Sequence, residues 1–429
     1  MEFIKHYDST LRETLYTAIH PSGLHVAIMP KKGYSKSYAV FGTHFGSVDN
    51  EFISPMSHEV VHLPDGIAHF LEHKLFEQPD GTNVFESYAR HGANANAYTS
   101  FNVTAYLFES TQDVQENLGI LLDFVQKPYF TDENVAKEQG IIGQEIGMYD
   151  DDPGWQLMMG FLGAMFHRHP VRVDIAGSVE SISHITKETL YDCYQTFYDL
   201  SNMCLFIIGD VEPERLGPYI EEKILQKAQK GGEIQRIYGE EPLSVCEKMV
   251  SCTMDVSVPM YMLGFKDLDC GYDGKNLLKK DMELSIICEL LFGKTGPIYT
   301  KLYDEGFIFG GMDAETACEK DYGYVALSGE SRDPETVRDI VFEGVKKAQK
   351  DGLCAEDVER VRRAMMGQYI KQFNSLSAVA HQYMSQVFNH VGLFDFTEVM
   401  NQITVESLEQ RLRSYFDTER AVLSVVRPR

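Results

Sequence analysis

The chain has 429 residues, more than one core of ordinary size holds, so two domains are expected. Its 39 basic residues against 64 acidic ones leave a formal charge of −25, which argues against nucleic acid or an anionic membrane as a partner and is compatible with basic peptides. There is no run of eighteen apolar residues, no signal-peptide pattern in MEFIKHYDST and no C-x-x-C pair among the eight cysteines, so a cytoplasmic protein with free thiols is the expectation.

In chain order, LYTAIH and LHVAIMP flank the turn Pro21-Ser22-Gly23 and read as a β-hairpin, which KSYAVFGTHFGSVDN continues. Next comes His69-Phe70-Leu71-Glu72-His73. Asp65 is placed to cap a helix beginning at Gly66, and Ile67, Ala68, Phe70, Leu71 and Leu75 give it an apolar surface to bury. Pro79-Asp80-Gly81 makes a turn that ends it. Residues i, i+3 and i+4 of a helix share one face, so His69 and His73 can bind one metal ion from one side. Glu72 lies beside them, placed to take a proton from water. The order H-x-x-E-H is the inverted form of H-E-x-x-H.

A catalytic zinc usually has three protein ligands and one open position, so a further ligand must come from elsewhere. Residues 131–149 form the best source, a helix with Asp132 as its expected cap. Glu138 and Glu145 are seven apart and offset by only about 20° around it. One can bind metal while the other holds a ligand or the helix in place. Spacing alone leaves this open, since two solvated glutamates on an exposed face fit equally well. A helical stretch over 183–198 and a buried strand, CLFIIGDV, follow.

Residues 226–243 are polar, contain a glycine pair and read as a linker. After them the pattern loosely restarts. CTMDVSVPMYMLGF and YGYVALSGES are strand-like, while DMELSIICELLF and VRDIVFEGVKKAQKDG are helical. Residues 355–415 are largely helical, and LSVVRP is a final strand. The expected fold is α+β, in α/β layers. It has two similar domains, each a mainly antiparallel sheet with helices packed on one face. Residues 1–225 form the metal-binding domain, 226–243 the linker and 244–429 a second, homologous domain without the metal motif.

HFLEH followed by a helix with two glutamates seven apart resembles the pitrilysin and insulysin family of zinc peptidases, which includes mitochondrial processing peptidase. The resemblance implies that Glu145 is the third metal ligand. Glu138 is then a supporting carboxylate, counted with Glu72 among the catalytic residues. GANANAYT at 92–99, followed by Thr104 and Tyr106, resembles the family's G-x-x-x-N-A-x-T edge strand. It implies that substrate adds as a further strand at Asn96 and Ala97, with Phe70 a further substrate-binding candidate. His169-Pro170, Gly177, Ile182, Thr186, Asn202-Met203 and Gly209-Asp210-Val211 also follow the family pattern. They read as structural, with Thr186 a helix cap. The resemblance covers essentially the whole chain and is nearest to a bacterial, cytoplasmic, YmfH-like branch.

The implied activity is that of a zinc metalloendopeptidase acting on short or unfolded peptides. One Zn²⁺ per chain would be held by His69, His73 and Glu145. The alternative is a peptide-binding or maturation scaffold of the same family that rarely or never turns over. One stretch departs from the family pattern L-Y-x-x-L-R-E-x-x-G-x-x-Y. Between Ile298 and Phe309, Tyr303 stands where the Arg is expected and Phe309 where the Tyr is expected. Neither can replace a guanidinium in gripping a carbonyl or carboxylate. The departure implies a homologous partner subunit that supplies the pair, in a heterodimer, with a homodimer as the alternative.

Overall fold

In the computed structural model, the turn at Pro21-Ser22-Gly23 joins strands Glu13–Ile19 and His25–Pro30, with Gly23 at φ 93°, a backbone region that suits glycine. The structure describes residues 1–79, 81–82, 84–225 and 234–429. Asp80 of the expected turn and residues 226–233 of the expected linker lie outside them. The chain divides into two compact units. The first comprises Met1–Ile146, Val173–Ile237 and Ile370–Phe388, and the second Gly147–Arg172, Tyr238–Tyr369 and Asn389–Arg429. This differs from a single cut at 226–243. The helix Pro153–Met165 belongs to the second unit, and the helix Leu376–Val387 to the first.

The main sheet of the first unit runs, in spatial order, Ile4–Asp8, Glu13–Ile19, His25–Pro30, Met203–Gly209, Ser37–Thr43, Thr104–Ser110, Ala93–Thr99. All neighbours are antiparallel except His25–Pro30 with Met203–Gly209. Ser37–Thr43 and Met203–Gly209 are buried at every residue. Central strands covered on both faces carry continuous apolar runs, which is why CLFII does not alternate. The sheet of the second unit runs Met249–Met254, Ala421–Pro428, Met260–Lys266, Gly323–Glu330, Phe309–Cys318, again with one parallel pair, the first. These five strands match the last five of the first unit in spatial order, direction and succession along the chain. The duplication expected from the repeating pattern is therefore visible in the topology.

Each exchanged helix covers equivalent strands. Leu376–Val387 packs on Met203–Gly209 and Ser37–Thr43, and Tyr383 stacks on Phe206 with ring centroids 4.6 Å apart. Pro153–Met165 packs on Ala421–Pro428 and Met260–Lys266. A glycine makes room in each sheet. A Cβ on Gly42 would lie 2.4 Å from Met384 Sδ; one on Gly264 would lie 2.4 Å from Phe161 Cζ and 2.5 Å from the Val325 carbonyl oxygen.

The described part of the expected linker is fastened rather than slack. In the first unit, Gln235–Arg236 pairs with the strand Glu51–Ile53, and Arg236 Nε donates to Asp49 at 2.6 Å. In the second, the Glu241 carboxylate accepts the backbone N–H groups of His167, Arg168 and His169 and a 2.6 Å bond from the buried Lys266 ammonium. Among the described residues no helix is long and apolar enough to cross a membrane.

The two glycines predict unequal costs. Adding one methyl to a packed core typically costs about 1–3 kcal/mol. Met384 can swing aside, but the Val325 carbonyl belongs to a strand. Gly264→Ala should therefore lower the thermal unfolding midpoint more than Gly42→Ala, a ranking that parallel melts of the two variants check.

Candidate metal centre

The H-x-x-E-H segment forms the helix Ile67–Leu75. Its start departs from expectation: Gly66, at φ 88°, is the cap residue, and no side chain caps the helix. Asp65 instead accepts a hydrogen bond from Asn50 Nδ2 at 2.8 Å. Gly66 is needed there because a Cβ would meet the Ala176 carbonyl oxygen at 2.3 Å. The second helix spans Asp132–Asp150. Its first turn is held by Thr131, whose Oγ1 accepts the Asn134 N–H at 3.1 Å, while the expected cap Asp132 pairs with Lys187. Thr186 does cap the helix Lys187–Phe197, as expected.

The two helices bring His69, His73 and Glu145 together, with one potential ligand atom from each lying within 4.8 Å of the others. Glu145 Oε1 is 3.7 Å from His69 Nε2, and its Oε2 is 3.5 Å from His73 Nε2. Ligands about 2.0–2.1 Å from a tetrahedral zinc sit about 3.3–3.4 Å apart, so the donor set and its spacing fit that ion. His73 and Glu145 are partly exposed, which leaves one side of the cluster open.

Each of the remaining groups has a distinct environment. Glu138 is buried, and its Oε1 lies 3.1 Å from His73 Nδ1. Burial opposes its charge, but the hydrogen bond with His73 and the nearby Lys74 ammonium outweigh it and lower its pKa. Glu138 thus meets His73 at Nδ1, while Glu145 lies at Nε2. Burial, then the charge of His73, pushes the pKa of His69 down to about 4. His73 goes the other way: burial disfavours its cation, but Glu138 and the carboxylates of Glu72 and Glu145 prevail and raise it. Glu72 is raised by burial, against the opposing pull of its hydrogen bond with Thr99.

Thr99, which the motif pattern gave no role, contacts Glu72. Its Oγ1 donates to Glu72 Oε2 at 2.6 Å and lies 3.5 Å from Thr104 Oγ1, which donates to the Phe45 carbonyl at 2.8 Å. Its signal was its position at the end of an edge strand one helix away from the carboxylate. Ala93–Thr99 is the terminal strand of its sheet. Asn96 is exposed, and its Oδ1 accepts the Ala97 N–H at 2.9 Å, so this side chain covers a donor of the edge. Phe70 needs correction as a substrate-binding candidate. It is completely buried, an anchor of the helix in the core with no surface to offer a peptide.

In the second unit, Tyr303 is exposed at the end of the helix Pro297–Asp304 and stacks with Tyr299. Phe309 opens the strand Phe309–Cys318. The Arg332 guanidinium lies over its ring, 5.2 Å from the centroid.

A family model described as insulinase (peptidase family M16) matches residues 62–177, and one described as peptidase M16 inactive domain matches 184–365. A Bacillus subtilis (strain 168) chain named uncharacterized zinc protease YmfH is 43% identical over 420 residues, 98% of each chain. The chain belongs to the M16 peptidase family. Within M16 it falls in the YmfH-like branch. The crystal structure of an M16-like peptidase from Alicyclobacillus acidocaldarius covers 100% of this chain and 99% of its own at 35% identity, with a TM-score of 0.93. A protease from Helicobacter pylori, at 18% identity, shares the fold over 96% of this chain and 99% of its own with a TM-score of 0.82. The first matched segment contains the H-x-x-E-H helix, the edge strand and both glutamates.

Proposed function

We propose that the chain is the metal-bearing subunit of a zinc-dependent endopeptidase that hydrolyses short or unfolded peptides. The convergence of His69, His73 and Glu145 beside Glu72 carries this reading. His69, His73 and Glu145 hold one Zn²⁺, and Glu138 keeps the His73 ring oriented through Nδ1. When bound, zinc supplies Lewis acidity that polarises a peptide carbonyl and acidifies water. The peptide lies along the open edge of Ala93–Thr99, held chiefly through its backbone at Asn96 and Ala97, which tolerates many sequences. Asn96 must release the Ala97 N–H for that strand to form.

Glu72 takes a proton from the attacking water and returns it to the amine nitrogen as the peptide C–N bond breaks. Thr99 occupies Oε2 and so presents Oε1 for this transfer. A raised pKa suits a carboxyl group that must bind the proton before passing it on. The eight cysteines form no disulfide, which fits a reducing compartment such as the cytoplasm.

The developing oxyanion needs a further donor. Tyr303 and Phe309 do not offer the family's Arg and Tyr, so a homologous partner subunit supplies them. Purification tests this. The isolated chain should show low turnover that rises on adding a homologue with the pair intact. Full turnover by the chain alone would overturn the partner.

Two substitutions test the roles at the metal. Glu72→Gln should keep one zinc per chain and lose hydrolysis by about 100-fold or more, measured by elemental analysis and peptide turnover. Loss of zinc in this variant would make Glu72 a ligand; full zinc with no turnover in the wild type and its complex would favour the scaffold reading. Glu145→Gln should lower zinc content far more than Glu138→Gln, and equal effects would undo the assignment.

A further inference from the structure

The H-x-x-E-H helix carries one side chain that neither its core nor the catalytic set above requires. Lys74 follows His73 directly and is completely buried, among the core residues Phe70, Leu71 and Leu75 of its own helix. An unpaired ammonium in such a place costs several kcal/mol, and a methionine would fill a similar volume without that cost. Lys74 is paired on two sides. Its Nζ is 2.7 Å from Glu77 Oε2 and 3.5 Å from Glu138 Oε2. The other oxygen of Glu138 faces His73 Nδ1. Glu77 in turn lies 3.6 Å from the exposed Lys137. Charges therefore alternate from Lys137 at the surface through Glu77, Lys74 and Glu138 to the His73 ring.

We propose that Lys74 is a positioning residue of the metal site: it pins the Glu138 carboxylate so that Oε1 accepts from His73 Nδ1 and Nε2 is left as the ligand nitrogen. The inference rests on the zinc reading above. With Lys74 on Oε2 and His73 on Oε1, each oxygen of Glu138 has one partner, and rotation of the carboxylate would lose both. Among the described residues His69 has no comparable support, because its buried Nδ1 has no hydrogen-bond partner among them. Outer-shell control of the two imidazoles therefore enters through His73, and Lys74 secures that arm. A purely structural strut between the two helices would use the same ion pair, but zinc affinity would not depend on it through Glu138.

A double-mutant cycle separates the two roles. Zinc dissociation constants are measured by competition with a chromophoric chelator on the full chain, for the wild type, Lys74→Met, Glu138→Gln and the double variant. Outer-shell losses typically weaken metal binding about 10–100-fold. Lys74→Met should weaken zinc by about tenfold, Glu138→Gln by at least as much, and the double variant no more than Glu138→Gln alone. Lys74→Arg, which keeps the charge, should recover most of the affinity. Wild-type affinity in Lys74→Met overturns the role of Lys74 alone, as do single losses that multiply in the double variant. A wild-type chain that takes up no zinc overturns the metal reading itself. If Lys74→Met does not fold, Lys74→Gln takes its place with the same outcomes.

Discussion

The hydrogen-bonded pair of His73 and Glu138 is the joint at which the two helices of the site meet. A histidine four residues from another gives two nitrogens on one face, but the ring must still present the right nitrogen. In the proposed site Glu138 settles that from the second helix, and the same helix delivers Glu145 two turns further on. The spacing of seven works because the drift of about 20° leaves both carboxylates on the side facing the motif helix. One of them then meets the back of His73 and the other its front. Burial raises the stakes, since a buried carboxylate without partners would surrender its charge. Lys74 and His73 together keep that from happening.

The surrounding sheet serves this joint in two ways. Its last strand ends at Thr99, which holds the Glu72 carboxylate, and its edge runs past Asn96. The site is thus assembled from two helices and a strand end of one unit, all rigid elements, which suits a centre that needs fixed geometry. The second unit repeats the five-stranded order, but among the described residues the His-His-Glu cluster belongs to the first unit alone. Its equivalent edge strand carries Phe309 with Arg332 above the ring.

Much of this was legible in the sequence, for identifiable reasons. Helical spacing alone put His69, Glu72 and His73 on one face and paired Glu138 with Glu145. Resemblance chose between the two glutamates and marked the edge strand. Local chemistry was read less well. Asp65 and Asp132 are good cap residues by type, yet Asn50 and Lys187 engage them, and Gly66 and Thr131 do the work at the helix starts. Phe70 was misjudged because its place between His69 and His73 says nothing of which way a helical residue points. Thr99 and Lys74 were passed over because the contacts that matter, to Glu72 and Glu138, join residues far apart along the chain. The exchange of helices had no sequence signal at all: a helix of the same pattern packs equally well on either of two similar sheets.

That exchange bears on how the molecule is made. Leu376–Val387 closes one face of the sheet that carries the site, through Tyr383 on Phe206 and Met384 against Gly42. A ribosome delivers this helix only after nearly nine-tenths of the chain has been synthesised. Domains usually fold as they emerge, N-terminal first. Here the nascent first unit must wait, one apolar face uncovered, while four of the five strands of the second unit's sheet are being threaded out. His69, His73 and Glu145 are among the early residues to reach solution, yet the unit that holds them is closed only late.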